Sequence, residues 1–78
     1  MSDTIGSRIK NRRKELRLTQ VQMRELTGIS NGNLSDIENG NRLPSAGALI
    51  SLSEALHVSA DWILTGKYPD ADIQAVQI

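Results

Sequence analysis

An all-α fold of five short helices is predicted by three features of this 78-residue sequence. Apolar residues recur at intervals of three and four rather than two, a hydroxyl residue stands where each helix N-cap belongs, and the connections between helical stretches are brief. The length holds one domain with one small core, too small for a large catalytic cleft. Cysteine is absent, which removes disulfides, thiolate metal sites and a cysteine nucleophile and suits a reducing compartment. No apolar run approaches the roughly 20 residues of a membrane span, and residues 1–10 lack the apolar stretch of a signal peptide. A cytoplasmic location without membrane contact is the expectation.

The first helix is predicted from about Ile5 to Leu16, with Thr4 as N-cap and Ile5, Ile9 and Leu16 on its buried side. Leu18 enters the core from the turn. Thr19 caps the second helix, and Gln22 three residues on completes a capping box. That helix runs to Thr27 with Met23 and Leu26 turned inward, and Gly28 is the left-handed residue that ends it. Ser30 caps a third helix from about Asn31 to Asn39, closed by Gly40. A polar loop of Asn41, Arg42, Leu43 and Pro44 leads to Ser45, cap of a fourth helix whose Leu49, Leu52 and Leu56, with Ala48 and Ala55, form an apolar stripe. Val58 crosses to Ser59, which caps a fifth helix carrying Trp62, Ile63 and Leu64 and ending at Gly66. Residues 67–78 contain Pro69 and two aspartates and read as a tail or a partner-dependent arm.

Net charge is zero, yet its distribution is uneven. Residues 1–17 carry Arg8, Lys10, Arg12, Arg13, Lys14 and Arg17 against Asp3 and Glu15, a balance of +4, and the remainder carries −4. A basic end suits either a phosphate surface or a solvated helix face.

From Gln20 to Asn39 the chain reads as a helix, a three-residue turn and a second helix, the helix-turn-helix arrangement. Met23 and Thr27 of the one are expected to pack on Leu34 and Ile37 of the other, leaving the second helix protruding enough for a DNA major groove about 12 Å wide. At roughly 100° per residue, Gly32, Ser35, Asp36 and Asn39 fall opposite Leu34 and Ile37, with Asn31 at the edge. Short polar residues are an unusual choice for a merely solvated face, where Lys and Glu prevail. Glu38 falls on the flank of the core, where a carboxylate is costly unless paired, and Arg13, four residues after Ile9, is the expected partner. Asp36 and Glu38 point to different sides of the helix with no nucleophile, histidine or metal cluster beside them, so no catalytic residue, metal ligand or cofactor is expected. His57 is expected as an exposed helix-end residue and Trp62 as a core residue rather than a stacking platform. Asn39–Gly40–Asn41 reads as a helix-ending turn in preference to an anion nest.

Four segments in order, RIKNRRKELRLTQ, ELTGIS, IENGNRLPS and ALHVSADWILTG, resemble the phage repressor and Cro class (XRE-type) of helix-turn-helix DNA-binding domains across residues 5–66. The resemblance implies a domain over residues 1–66 followed by a tail over 67–78, and a transcriptional regulator, a repressor, that binds a two-fold related operator as a homodimer. It implies base-edge contacts from Asn31, Gly32, Ser35 and Asp36 in the major groove. It implies phosphate contacts from Arg12, Arg13, Gln20, Asn33, Asn39, Asn41 and Arg42, with Arg13 also fitting the family's structural pair to Glu38. Asn31, able to be bidentate to adenine, is the best single base-reading candidate. The same family also supplies antitoxins and protein-interaction modules, in which the fifth helix and tail would bind a protein partner. Arg24 stands where the family has a close-packing Ala, and Arg17 and His57 stand where it has Gly, so bulkier residues are expected at left-handed positions.

Overall fold

The computed structural model describes residues 3–68. It contains α1 (Ile5–Glu15), α2 (Gln20–Thr27), α3 (Asn31–Glu38), α4 (Ala46–Leu56) and α5 (Ala60–Thr65). Of the expected tail, Lys67 and Tyr68 are described and residues 69–78 lie outside the described residues. Among the described residues no helix is long and apolar enough to cross a membrane.

Each helix starts at the expected hydroxyl. Thr4, Thr19, Ser30, Ser45 and Ser59 hold extended backbone angles and accept from the N–H three residues on, which satisfies one of the donors a helix leaves free at its start. Thr19 and Gln22 form the reciprocal box, Thr19 N donating to Gln22 Oε1 at 2.8 Å and Gln22 N to Thr19 Oγ1 at 3.1 Å. Thr4 and Ser7 form a second box, with a serine hydroxyl in place of the longer side chain.

Ile9, Met23, Ile29, Leu34, Ile37, Leu52, Leu56 and Ile63 make the core, bordered by Ile5, Leu16, Leu18, Ala48, Leu49, Ala55, Val58 and Trp62. Leu26 does not join it. The inward position expected for Leu26 is corrected by its 59% exposure. Met23 and Thr27 centre the packed side of α2, and Leu26 lies about 80° from their bisector. Arg24 is exposed as well, so its stem leaves the contact between helices. Trp62 packs at the core border and stacks on Tyr68, ring centroids 6.3 Å apart.

The arginines of α1 reach into the fold, whereas Lys14 is exposed. Arg8 is buried, donating from Nε to Ile63 O at 2.9 Å and from Nη2 to Leu64 O at 3.1 Å, while its Nη1 meets Asp3 Oδ1 at 2.9 Å. Arg12 donates from Nε to Leu56 O at 2.9 Å. These carbonyls lie in the last turns of α5 and α4, which have no acceptor-satisfying partner within the helix, and a cation there also complements the helix dipole. α1 thus clasps the C-terminal ends of two other helices.

Arg17 and His57 adopt left-handed backbone angles, with φ of 59° and 56°. Both are exposed, so their side chains gain little from packing. A side chain in this region costs roughly 1–2 kcal/mol, partly offset by the greater freedom glycine has when unfolded. Arg17→Gly and His57→Gly are each expected to stabilise the domain by about 0.5–1 kcal/mol. Thermal melts should show a midpoint raised by a few degrees, and a lowered midpoint would contradict the strain.

Candidate nucleic-acid interface

α3 is held in place from its turn outward. Gly28 has φ 76°, the left-handed conformation that lets the chain reverse in three residues. The Thr27 hydroxyl donates to Met23 O at 2.7 Å and accepts from Ile29 N at 3.1 Å, which anchors the turn to α2. Ile29 is buried, and Ser30 then caps α3 by accepting from Asn33 N at 3.2 Å. Leu34 and Ile37 face the core, while α3 packs on α1 and α2 and on no other helix among the described residues.

The packing against α1 is unusually close. A Cβ at Gly6 would lie 2.6 Å from Glu38 O and would be driven into Ile37 O as well. The last turn of α3 therefore rests directly on the main chain of α1. Two turns further along α1, Arg13 Nε donates to Glu38 Oε2 at 2.7 Å and Nη2 to Glu38 Oε1 at 3.1 Å. Nη1 donates to Leu18 O at 2.8 Å. The Glu38 side chain is 2% exposed and that of Arg13 10%, so the ion pair is bidentate and withdrawn from solvent.

Gln20 ties this pair to α2. Its Nε2 donates to Glu38 Oε1 at 3.4 Å and its Oε1 accepts from the Ser35 hydroxyl at 3.3 Å. The two ends of the Gln20 amide thus bridge the start of α2 to two successive turns of α3.

These contacts bear on three of the expected site residues. Arg13 is not presented to a phosphate, because all three nitrogens of its guanidinium donate inside the protein. Arg12 remains partly exposed, with its Nε on Leu56 O at the C-terminal end of α4 and its Nη1 3.5 Å from Glu15 Oε1. Ser35, expected on the open side of α3, is half-buried with its hydroxyl on Gln20. At roughly 40° from Asn31 it lies about midway between the Glu38 flank and the outward direction.

The remaining residues line the outer side of α3 and the loop after it. Gly32 is exposed and a Cβ built on it would meet no heavy atom within 4 Å. Asp36 is half-buried, and Asn39, Asn41 and Arg42 are exposed. Asn31 and Asn33 are half-buried, and the Oδ1 atom of each is buried without a hydrogen-bond partner, leaving Nδ2 as the more available end of each amide. Among the described residues no group of three or more histidines and carboxylates could hold a metal ion.

Sequence reasoning missed Arg8, the Arg12 cap and the Gly6 seam. A signal for Gly6 was present, since a glycine inside a helix costs about 1 kcal/mol against alanine and calls for a reason such as a close approach.

The family described as a helix-turn-helix domain matches residues 6–69. Repressor protein C2 of Salmonella phage P22 is 33% identical over 69 residues, covering 88% of this chain and 32% of its own length. The HTH-type transcriptional regulator DicA of Escherichia coli K12 is 41% identical over 63 residues, covering 81% of this chain and 47% of its own. The chain thus spans less than half the length of both relatives. The crystal structure of the P22 c2 repressor protein in complex with synthetic operator 9T superposes with a TM-score of 0.81 at 35% identity, over 85% of this chain and all of that one. With five helices in this order and α3 held between α1 and α2, the chain belongs to the helix-turn-helix domain family of the phage repressors.

Proposed function

We propose that this domain is the sequence-reading part of a transcriptional repressor, which docks α3 in the major groove of an operator and acts in the cytoplasm. One observation carries the proposal: the outer side of α3 is left uncovered by the other helices among the described residues, and it is lined with short polar groups. The P22 relative, solved on a synthetic operator, supports the same use of the fold.

Asn31, Gly32 and Asp36 are the base-facing residues. Asp36 can only accept, so it suits a cytosine amino group, whereas Asn31 can grip adenine with both ends of its amide. That grip requires the Asn31 side chain to rotate, because its Oδ1 is turned inward in the free protein. Asn33, Asn39, Asn41 and Arg42 contact phosphates and set position without reading sequence. Gln20 contributes through its main-chain N–H at the first position of α2, where a helix offers unpaired donors to an anion, while its side chain braces α3.

Two copies binding half-sites about 34–36 Å apart would place both α3 helices on one side of the duplex. Leu43, 75% exposed in the loop after α3, and Leu64, 45% exposed on α5, support a contact between copies through these two segments. Sedimentation equilibrium on the operator complex should find two copies per site, and a stable single copy would argue against the dimer.

The decisive experiment measures binding to duplexes taken from the DNA flanking the coding region, for the wild type and for Asn31→Ala. Loss of one bidentate base contact should weaken specific binding by about 1–3 kcal/mol and leave the melting temperature unchanged. Binding should also fall as salt is raised. If the wild type shows no preference for any flanking duplex over random DNA, the proposal fails.

A further inference from the structure

Two Asn-Gly pairs lie on α3, Asn31–Gly32 at its start and Asn39–Gly40 just past its end, and the fold treats them differently. Asn31 is the first helical residue and its Oδ1 is buried. Rotating its main chain toward its own side chain would undo the turn closed by Leu34 N on Ser30 O at 2.9 Å and by Asn33 N on Ser30 Oγ at 3.2 Å. It would also drag the buried Leu34 with it.

Asn39 and Gly40 are both exposed, and no heavy atom lies within 4 Å of where a Gly40 Cβ would stand. The Gly40 N–H is held by a bond of 3.2 Å to Ile37 O. Rotation at Asn39 disturbs that bond and the one from Asn41 N to Asp36 O, and it moves exposed loop residues instead of core side chains.

We propose that Asn39 is a site of spontaneous conversion from amide to acid, one that ages the DNA-reading surface. Once rotation at Asn39 has freed it from Ile37 O, the Gly40 main-chain nitrogen loses its proton to the solvent and attacks Asn39 Cγ. A bond forms between that nitrogen and Cγ, the bond from Cγ to Nδ2 breaks, and ammonia leaves carrying the proton. Water then opens the five-membered imide at either carbonyl, giving aspartate or isoaspartate. Water is the sole co-reactant, and nothing is oxidised or reduced. Because the nitrogen must first lose its proton, conversion speeds up as pH rises.

The consequence for binding rests on the operator-docking function proposed above. Either product puts a carboxylate at the C-terminal end of α3, where the helix already presents about half a negative charge. The new charge sits beside Asn41 and Arg42, opposite phosphates, and replaces a donor by a repelling group. Isoaspartate also lengthens the main chain by one carbon and displaces the loop.

The test incubates the whole chain in mildly alkaline buffer and follows Asn31 and Asn39 separately by peptide mass mapping. Acidic forms are then separated by anion exchange, and their DNA binding is compared with that of fresh protein and of freshly made Asn39→Asp. Asn39 should convert well ahead of Asn31, faster at higher pH. The acidic form and Asn39→Asp should both bind flanking DNA about tenfold more weakly than fresh wild type. Conversion at Asn31 first, conversion at neither, or undiminished binding by the acidic form would overturn the proposal. Fresh protein that binds no DNA would count against operator docking, and the mapping would still decide the chemistry at Asn39.

Discussion

Gly6→Ala is expected to destabilise the domain by about 3 kcal/mol or more, a large share of the roughly 4–12 kcal/mol that holds a chain of this length together. The added methyl would meet Glu38 O at 2.6 Å, and main-chain carbonyls at the end of a packed helix cannot turn aside as a side chain can. α1 and α3 must separate, and the Arg13–Glu38 contact spans the same seam. On helix propensity alone the substitution would stabilise by about 1 kcal/mol, so the sign itself is informative. Gly32→Ala provides the contrast, because open space surrounds that residue and propensity should prevail there. Urea titrations of both variants decide the matter: a Gly6→Ala domain as stable as the wild type would show that the seam can relax.

Glu38→Ala should cost about 3–5 kcal/mol. Removing the carboxylate leaves the Arg13 guanidinium, 10% exposed, with Leu18 O as its remaining partner, and takes from Gln20 Nε2 its acceptor. The loss reflects a stranded charge more than the net worth of the pair, so an apolar replacement of both Arg13 and Glu38 should recover much of it. Base preference, measured where the variant remains folded, should match the wild type, since Glu38 is buried between helices and offers nothing to a groove. An unchanged denaturation midpoint combined with an altered base preference would reverse the assignment.

The features legible in the sequence are those governed by neighbours along the chain. A hydroxyl three residues ahead of a helical N–H, a glycine after α2 and apolar residues three and four apart are local patterns, and the five caps and the helix order follow from them. The Arg13–Glu38 contact was legible too, because facing angles put an acidic residue on the flank of a core and a cation opposite. Leu26 was misplaced since a helix of eight residues carries few apolar positions to define its packed side, and its true centre lies between Met23 and Thr27.

The arginines of α1 show where local pattern stops. Their charge suggested a surface for phosphates, but Arg8 and Arg12 reach carbonyls 55 and 44 residues away in the chain. Which carbonyl a long side chain meets is decided by how α4 and α5 end against α1, a tertiary fact with no signature in the sequence around either arginine. The same holds for Ser35, drawn to Gln20 fifteen positions earlier.

The open space around Gly32 has a bearing on how such a protein changes its target. No heavy atom lies within 4 Å of where a Cβ would stand there, so a side chain can begin at that site without repacking the interior, and in the docking proposed above it would face the bases. Under that proposal, new operator preferences would be reachable in single steps from a scaffold that stays folded. A regulator built this way can diverge in what it recognises while everything beneath the reading surface stands still.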